Sequence, residues 1–276
     1  MTRAHRGAMP VAMRAPAVAT GLVLATALVF AASCGDERDA SRETEKQSVA
    51  RDARADSAFA DSVLRAAEDI GARITETTSA TPAPLRDPVA IGNALRAYAG
   101  ETYIGELLVA RDSVNYRWPD RMRDPLRVWI QRSDADGVTE SHRTIVRDAF
   151  DPWRATGIPV DFDFTDDSVR AEILVTWVDR YESRTSGRTR WVHDQHGWLT
   201  GAGIELALAQ PDGRTLDAAS LQAIARHEIG HLLGLDHTAD EANIMSARVR
   251  VAELSEADRH TVRLVYKLPP GSVRAP

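Results

Sequence analysis

His227-Glu228-Ile229-Gly230-His231-Leu232-Leu233-Gly234-Leu235-Asp236-His237 decides how this chain is read. Just upstream, Leu221, Ile224 and Ala225 recur at helical spacing, and Asp217 or Ser220 can cap the start. Four residues turn an α-helix through about 400°, so His227 and His231 project from one face, one turn apart. Their imidazoles can share one Zn²⁺. Glu228 neighbours the first ligand, so it is badly placed to be a third ligand from the same face. It can instead reach a water at the metal. Gly234 tolerates positive φ, which lets the chain leave the helix sharply and bring His237 back as the third ligand. Three protein ligands leave a fourth position open, the feature that separates catalytic from structural zinc sites. The plain alternative is a surface helix with incidental histidines. Background composition gives this pattern a chance frequency on the order of 10⁻⁵ per chain. A purely structural zinc site would leave Glu228 without a task.

Downstream lie Asn243-Ile244-Met245-Ser246, then Leu254-Ser255-Glu256-Ala257-Asp258 ahead of Val262, Leu264, Val265 and Tyr266. Ser255 reads as the cap of a closing helix. With these segments the histidine run resembles the metzincin signature of zinc endopeptidases, and within that clan it is most similar to the matrixins. Weaker similarity runs through Ile173–Trp177, Gly187-Arg188-Thr189 and Ala202–Leu208, for a coverage of about residues 116–270. The resemblance implies an α+β chain with a zincin/metzincin-like fold: a twisted mixed β-sheet packed on helices, the active-site helix carrying HExxHxxGxxH. It implies one catalytic Zn²⁺, His227, His231 and His237 as ligands, Glu228 as general base, and structural support from Gly234 and Met245. Met245 would be the hydrophobic floor under the metal. It also implies an extended peptide or protein substrate along the edge strand near Thr189–Asp194.

The departures from the family pattern carry information too. Thr238 stands where matrixins usually have Ser. Ser246, Ala247 and Arg248 follow the turn methionine in place of Tyr and Pro, so pocket preference does not carry over. No tyrosine lies two residues after Met245, which excludes an astacin-like tyrosine ligand. The cysteine-switch peptide is missing, because Cys34 is the single thiol. His193, Asp194 and His196 lie where animal matrixins carry a second, structural zinc, but the spacing fits a solvated loop better. Asp134 with Asp136, and Asp163 with Asp166 and Asp167, offer oxygens to calcium, yet they read as turn and surface acids.

The chain has 276 residues, 27% of them charged, with a net charge of −6. That length can bury a sizeable core. The acidic balance argues against nucleic acid as a partner. A single cysteine excludes an intrachain disulfide and any CxxC pair. No phosphate-binding glycine loop occurs.

Residues 1–33 contain no acid, and Arg3, Arg6 and Arg14 flank or precede the apolar run Ala15–Ala32. This is the pattern of a secretory signal peptide. The run ends Ala31-Ala32-Ser33-Cys34, which resembles a bacterial lipobox, although Ala31 replaces the usual Leu. The expectation is an exported protein, lipid-anchored to the cell envelope through Cys34 (at the outer membrane if the cell has one). The alternatives are an ordinary cleaved signal, giving a secreted form, and an uncleaved anchor. Residues 34–58 are charged and nearly free of large apolar side chains, so they read as a flexible tether. Residues 59–115 form a helical and linker segment of open role: Phe59, Val63, Leu64, Ala67, Ile70 and Ile74 recur helically, and Thr75–Pro88 reads as a linker. The remainder up to 115 is either a short pro-segment or packing for the domain behind it. The matrixin-like domain is expected over 116–270, with 271–276 as a tail.

Inside that domain, Leu126–Ile130, Val160–Phe164, Ala171–Val178, Thr189–Val192 and Ile204–Leu208 read as strands. Thr139 caps a helix whose inner face is Ile145, Val146, Ala149, Phe150 and Trp153, with a kink or early stop at Pro152. The resulting reading is a zinc-dependent endopeptidase that hydrolyses peptide bonds with a zinc-activated water. The alternative is a catalytically silent zincin that binds peptides or a partner.

Overall fold

The computed structural model describes residues 84–132, 137–183 and 185–274. The signal peptide, Cys34, the tether and the helix expected from Phe59 lie outside the described residues.

A five-stranded sheet forms the frame. Its strands are β2 (Arg121–Ile130), β3 (Val160–Thr165), β4 (Ile173–Val178), β5 (Gly187–His193) and β6 (Leu199–Ala207), in the order β3-β2-β4-β6-β5. All neighbouring pairs are parallel except β5 with β6, so the sheet is mixed, as expected. A small antiparallel pair, β1 (Val114–Asn115) with β7 (Gly271–Ser272), closes the ends of the domain on each other. The parallel strands are rich in Ile, Val and Leu. Ile173, Val175, Leu126 and Val128 are fully buried. That burial is what a parallel sheet with covered faces demands.

The helices are α1 (Pro88–Tyr98), α2 (Ile104–Ala110), α3 (Glu140–Ala149), α4 (Asp151–Arg154), α5 (Ala218–Leu232) and α6 (Glu256–Lys267). Thr139 does cap α3: its Oγ1 accepts from His142 N, and the His142 ring accepts from Thr139 N. α3 stops at Ala149, and Pro152 opens the short α4, where its missing N–H costs nothing. Asp217 Oδ1 caps α5 by accepting from Ser220 N, 2.7 Å away. Ser255 caps α6 through a reciprocal pair with Asp258.

Packing begins well before Tyr116. Ile91 of α1 and Ile104 and Leu107 of α2 belong to the same buried cluster as Ile229, Met245 and Val265. Tyr103 donates its hydroxyl to Asp258 Oδ1 at 3.0 Å. Residues 88–110 thus pack on the domain rather than beside it. Leu107 is fully buried, so Leu107→Ala is expected to lower the unfolding free energy by about 2–5 kcal/mol. Urea unfolding followed by circular dichroism measures this. An unchanged midpoint would mean the segment is only loosely applied.

Candidate metal centre and active site

α5 carries His227, Glu228 and His231, and its end is built to deliver His237. Gly234 N donates to His231 O at 2.9 Å, and Leu235 N donates to Gly230 O at 3.0 Å. This is a Schellman ending, with Gly234 at φ +94° in the left-handed position. A Cβ on Gly234 would also collide with the Tyr116 carbonyl. Glycine is therefore required here by conformation and by contact.

The three rings converge. His227 Nε2 and His231 Nε2 lie 3.1 Å apart, and His231 Nε2 and His237 Nε2 lie 3.2 Å apart. Two metal bonds of about 2.05 Å meeting at a tetrahedral angle separate their nitrogens by about 3.3 Å. The donor set therefore fits a tetrahedral Zn²⁺. The outer ring nitrogens fix the tautomers. His227 Nδ1 donates to Ile244 O at 2.7 Å, and His231 Nδ1 donates to Leu235 O at 3.1 Å. Both rings then present an Nε2 lone pair to the shared point. Burial lowers His227 to about 4, and burial with the two neighbouring imidazoles pushes His231 well below the usual range. Neutral imidazoles are the form that binds a metal. Among the described residues, these three are the one group of three or more His, Cys, Asp or Glu close enough to share an ion.

Glu228 is 4% exposed and sits at the base of the cleft. Thr189 Oγ1 on β5 lies 2.6 Å from Glu228 Oε2 and donates to it. Burial pushes the carboxyl up to about 7, while the Thr189 hydrogen bond and the nearby Arg188 charge oppose the rise. Gly187 makes room for this side chain. A Cβ there would stand 2.6 Å from Glu228 Oε1 and 2.8 Å from Glu228 Cγ.

Met245 is fully buried beneath the histidine helix. A Cβ on Gly230 would strike Met245 Sδ, so the small residue between the two helical histidines lets the methionine approach. The turn around Met245 is fastened from behind. Asp258 Oδ2 accepts from Ile244 N at 3.0 Å and from Ser255 N at 2.8 Å. Ile244 O in turn receives His227. A chain of bonds thus runs from α6 to the first candidate ligand.

The cleft in front of the histidines has a volume of about 1540 Å³. β5 borders it and, among the described residues, is the edge strand of the five-stranded sheet. The segment Ala247–Ala252 forms part of its wall.

Among the described residues, the clusters of His193, Asp194 and His196 and of Asp163, Asp166 and Asp167 do not bring three ligand atoms together. Asp194 Oδ1 accepts from His196 N and Trp198 N, a turn-building role, and the His193 ring packs against Tyr116. Asp166 pairs with Arg132, and Asp167 Oδ1 accepts from Val169 N. Asp134 and Asp136 lie outside the described residues. Sequence reasoning did not single out Thr189 and Asp258 as supports of the site, nor Gly187 as the space Glu228 occupies. The capping pattern Ser255–Asp258 marked Asp258 as a helix residue but not its second bond to the methionine turn.

The matrixin family model, peptidase M10, matches residues 118–267. Metalloendoproteinase 1-MMP of Arabidopsis thaliana is 29% identical over 143 residues, covering 48% of this chain and 39% of that protein. Metalloendoproteinase 5-MMP of the same plant is 26% identical over 170 residues, covering 54% of this chain and 45% of that protein. The chain therefore spans less than half the length of these curated relatives. The mixed sheet, the histidine helix and the methionine turn all fall inside the matched region, and the chain belongs to the matrixin family.

Proposed function

We propose that this protein is a zinc-dependent endopeptidase with His227, His231 and His237 as metal ligands and Glu228 as general base. The observation that carries the reading is the convergence of three Nε2 atoms beside a buried, oriented carboxylate. When bound, zinc supplies a Lewis acid that polarises the scissile carbonyl and acidifies the attacking water. Glu228 takes the proton of that water and returns it to the leaving amine. Thr189 holds the carboxylate at the required angle, and Gly187 leaves it the space. As the edge strand of the sheet among the described residues, β5 is the place for an extended peptide to align by strand addition. An intact Glu228 in a shaped recess disfavours the silent, binding-only alternative.

Gly187→Ala tests the reading. The atoms nearest the new methyl are Glu228 Oε1 and Cγ and Ile224 Cγ2, so it displaces the Glu228 side chain rather than a metal ligand. Zinc content is expected to stay unchanged, and peptide hydrolysis to fall by about 10²-fold, the cost of moving a catalytic group by an ångström. Wild-type turnover in this variant would contradict the placement of Glu228.

The envelope location forms part of the proposal and rests on Arg3, Arg6, Arg14, the run Ala15–Ala32 and Cys34. Cys34→Ser is expected to abolish lipidation and release the domain from the membrane fraction. Identical fractionation of wild type and variant would rule the anchor out.

A further inference from the structure

We infer that Arg111 is a positioning residue for the metal centre, acting from a segment that precedes the matched family region. The inference rests on reading the three histidines as metal ligands. The Arg111 side chain is 10% exposed. Its Nη1 donates to Gly234 O at 2.7 Å, its Nη2 to Leu235 O at 2.8 Å, and its Nε to Asp236 Oδ2 at 3.0 Å. One guanidinium thus engages three consecutive residues, the ones that join the end of α5 to His237.

One of these bonds shares its acceptor with a histidine ring, and another reaches the His237 backbone through a carboxylate. Leu235 O also accepts from His231 Nδ1. The carbonyl that sets the His231 ring is therefore itself set by Arg111. Asp236 ties Arg111 to the His237 backbone: Oδ2 accepts from Arg111 Nε and Oδ1 from His237 N at 2.8 Å. The guanidinium lies 5.4 Å from the Trp191 ring centroid and 5.9 Å from that of Tyr116. Trp191 is on β5, so the same side chain joins the edge strand to the ligand loop. Glu106, one turn earlier on α2, accepts from Thr238 Oγ1 at 3.2 Å and Ala239 N at 2.8 Å. The loop is thereby held on both sides of His237 by residues 106–111. A planar fork with fixed N–H directions suits this arrangement, and a lysine ammonium does not reproduce it.

The test uses the full chain stripped of metal, with zinc affinity read by competition against a chromophoric chelator. Co²⁺ spectra report the ligand geometry. Arg111→Gln and Arg111→Lys are expected to keep wild-type circular dichroism and to bind zinc about 10–100-fold more weakly, as losses of ligand-orienting partners do. The cobalt d–d bands are expected to shift. Arg117→Gln is the control. Arg117 is also partly buried, donating to Leu268 O at 2.9 Å and lying over Trp198, away from the histidines. It is expected to lower stability and leave zinc affinity intact. A folded Arg111→Gln with affinity within about twofold of wild type and unchanged cobalt bands would overturn the inference. A loss of affinity equal to that of Arg117→Gln would overturn it as well. If Arg111→Gln does not fold, Arg111→Lys decides on the same readouts. Wild type that binds no zinc defeats the metal reading itself. Wild type that binds zinc beside equally tight Arg111 variants defeats this inference alone.

Discussion

Glu228→Gln is expected to keep the fold and the zinc but lose peptide hydrolysis by about 10²–10⁴-fold, the contribution of general acid–base catalysis. The substitution preserves size and polarity and removes the basic oxygen. Thr189 Oγ1 can still donate to the remaining carbonyl oxygen, so the side chain keeps its position in the recess left by Gly187. None of the three imidazoles bonds to Glu228, so the metal set is untouched. The measurement pairs zinc content with single-turnover cleavage of a peptide that wild type cuts. Turnover close to wild type would mean that another group handles the proton.

His231→Ala is expected to take the bound zinc from about one equivalent to almost none and to abolish hydrolysis with it. His231 is the middle member of the triad, within 3.2 Å of both other Nε2 atoms. Removing it leaves two of the three imidazoles, too few to hold the metal tightly. The fold should persist. Leu107, Ile173, Ile204, Ile229 and Val265 are buried without reference to the histidines. A structural zinc module would behave differently and unfold as the metal left. Near-stoichiometric zinc in His231→Ala would remove this residue from the ligand set.

The parts legible in the sequence were the ones written in local periodicity. Thr139, Asp217 and Ser255 announced three helix starts, because a cap acts within one turn of itself. Pro152 announced the break between α3 and α4. The histidine spacing fixed a shared face on α5, and Gly234 fixed the exit. Strand bounds were less certain: β2 begins at Arg121 rather than near Leu126, because its first half pairs irregularly with β3. What stayed hidden depends on residues far apart in the chain. Gly187 and Thr189 matter because the β5 edge lies against α5, and Arg111 matters because α2 folds back onto the ligand loop. Neither contact leaves a mark on local spacing. The linker reading of Thr75–Pro88 takes in the start of α1, where Asp87 caps from the front and Pro88 occupies the first turn, and the mixed apolar content of the helix body gave no helical reading. The Pro and Thr content just upstream outweighed the capping signal.

The three histidines and Glu228 are proposed to form a working hydrolytic centre. The most direct measurement is a peptide-library digest by the purified full chain, with zinc content determined on the same sample and a chelator-treated arm in parallel. The expected result is about one zinc per chain, internal cleavage of extended peptides, loss of cleavage with chelator, and recovery on adding zinc. Full zinc occupancy with no cleavage of any peptide, and no bound segment in the cleft, would contradict it.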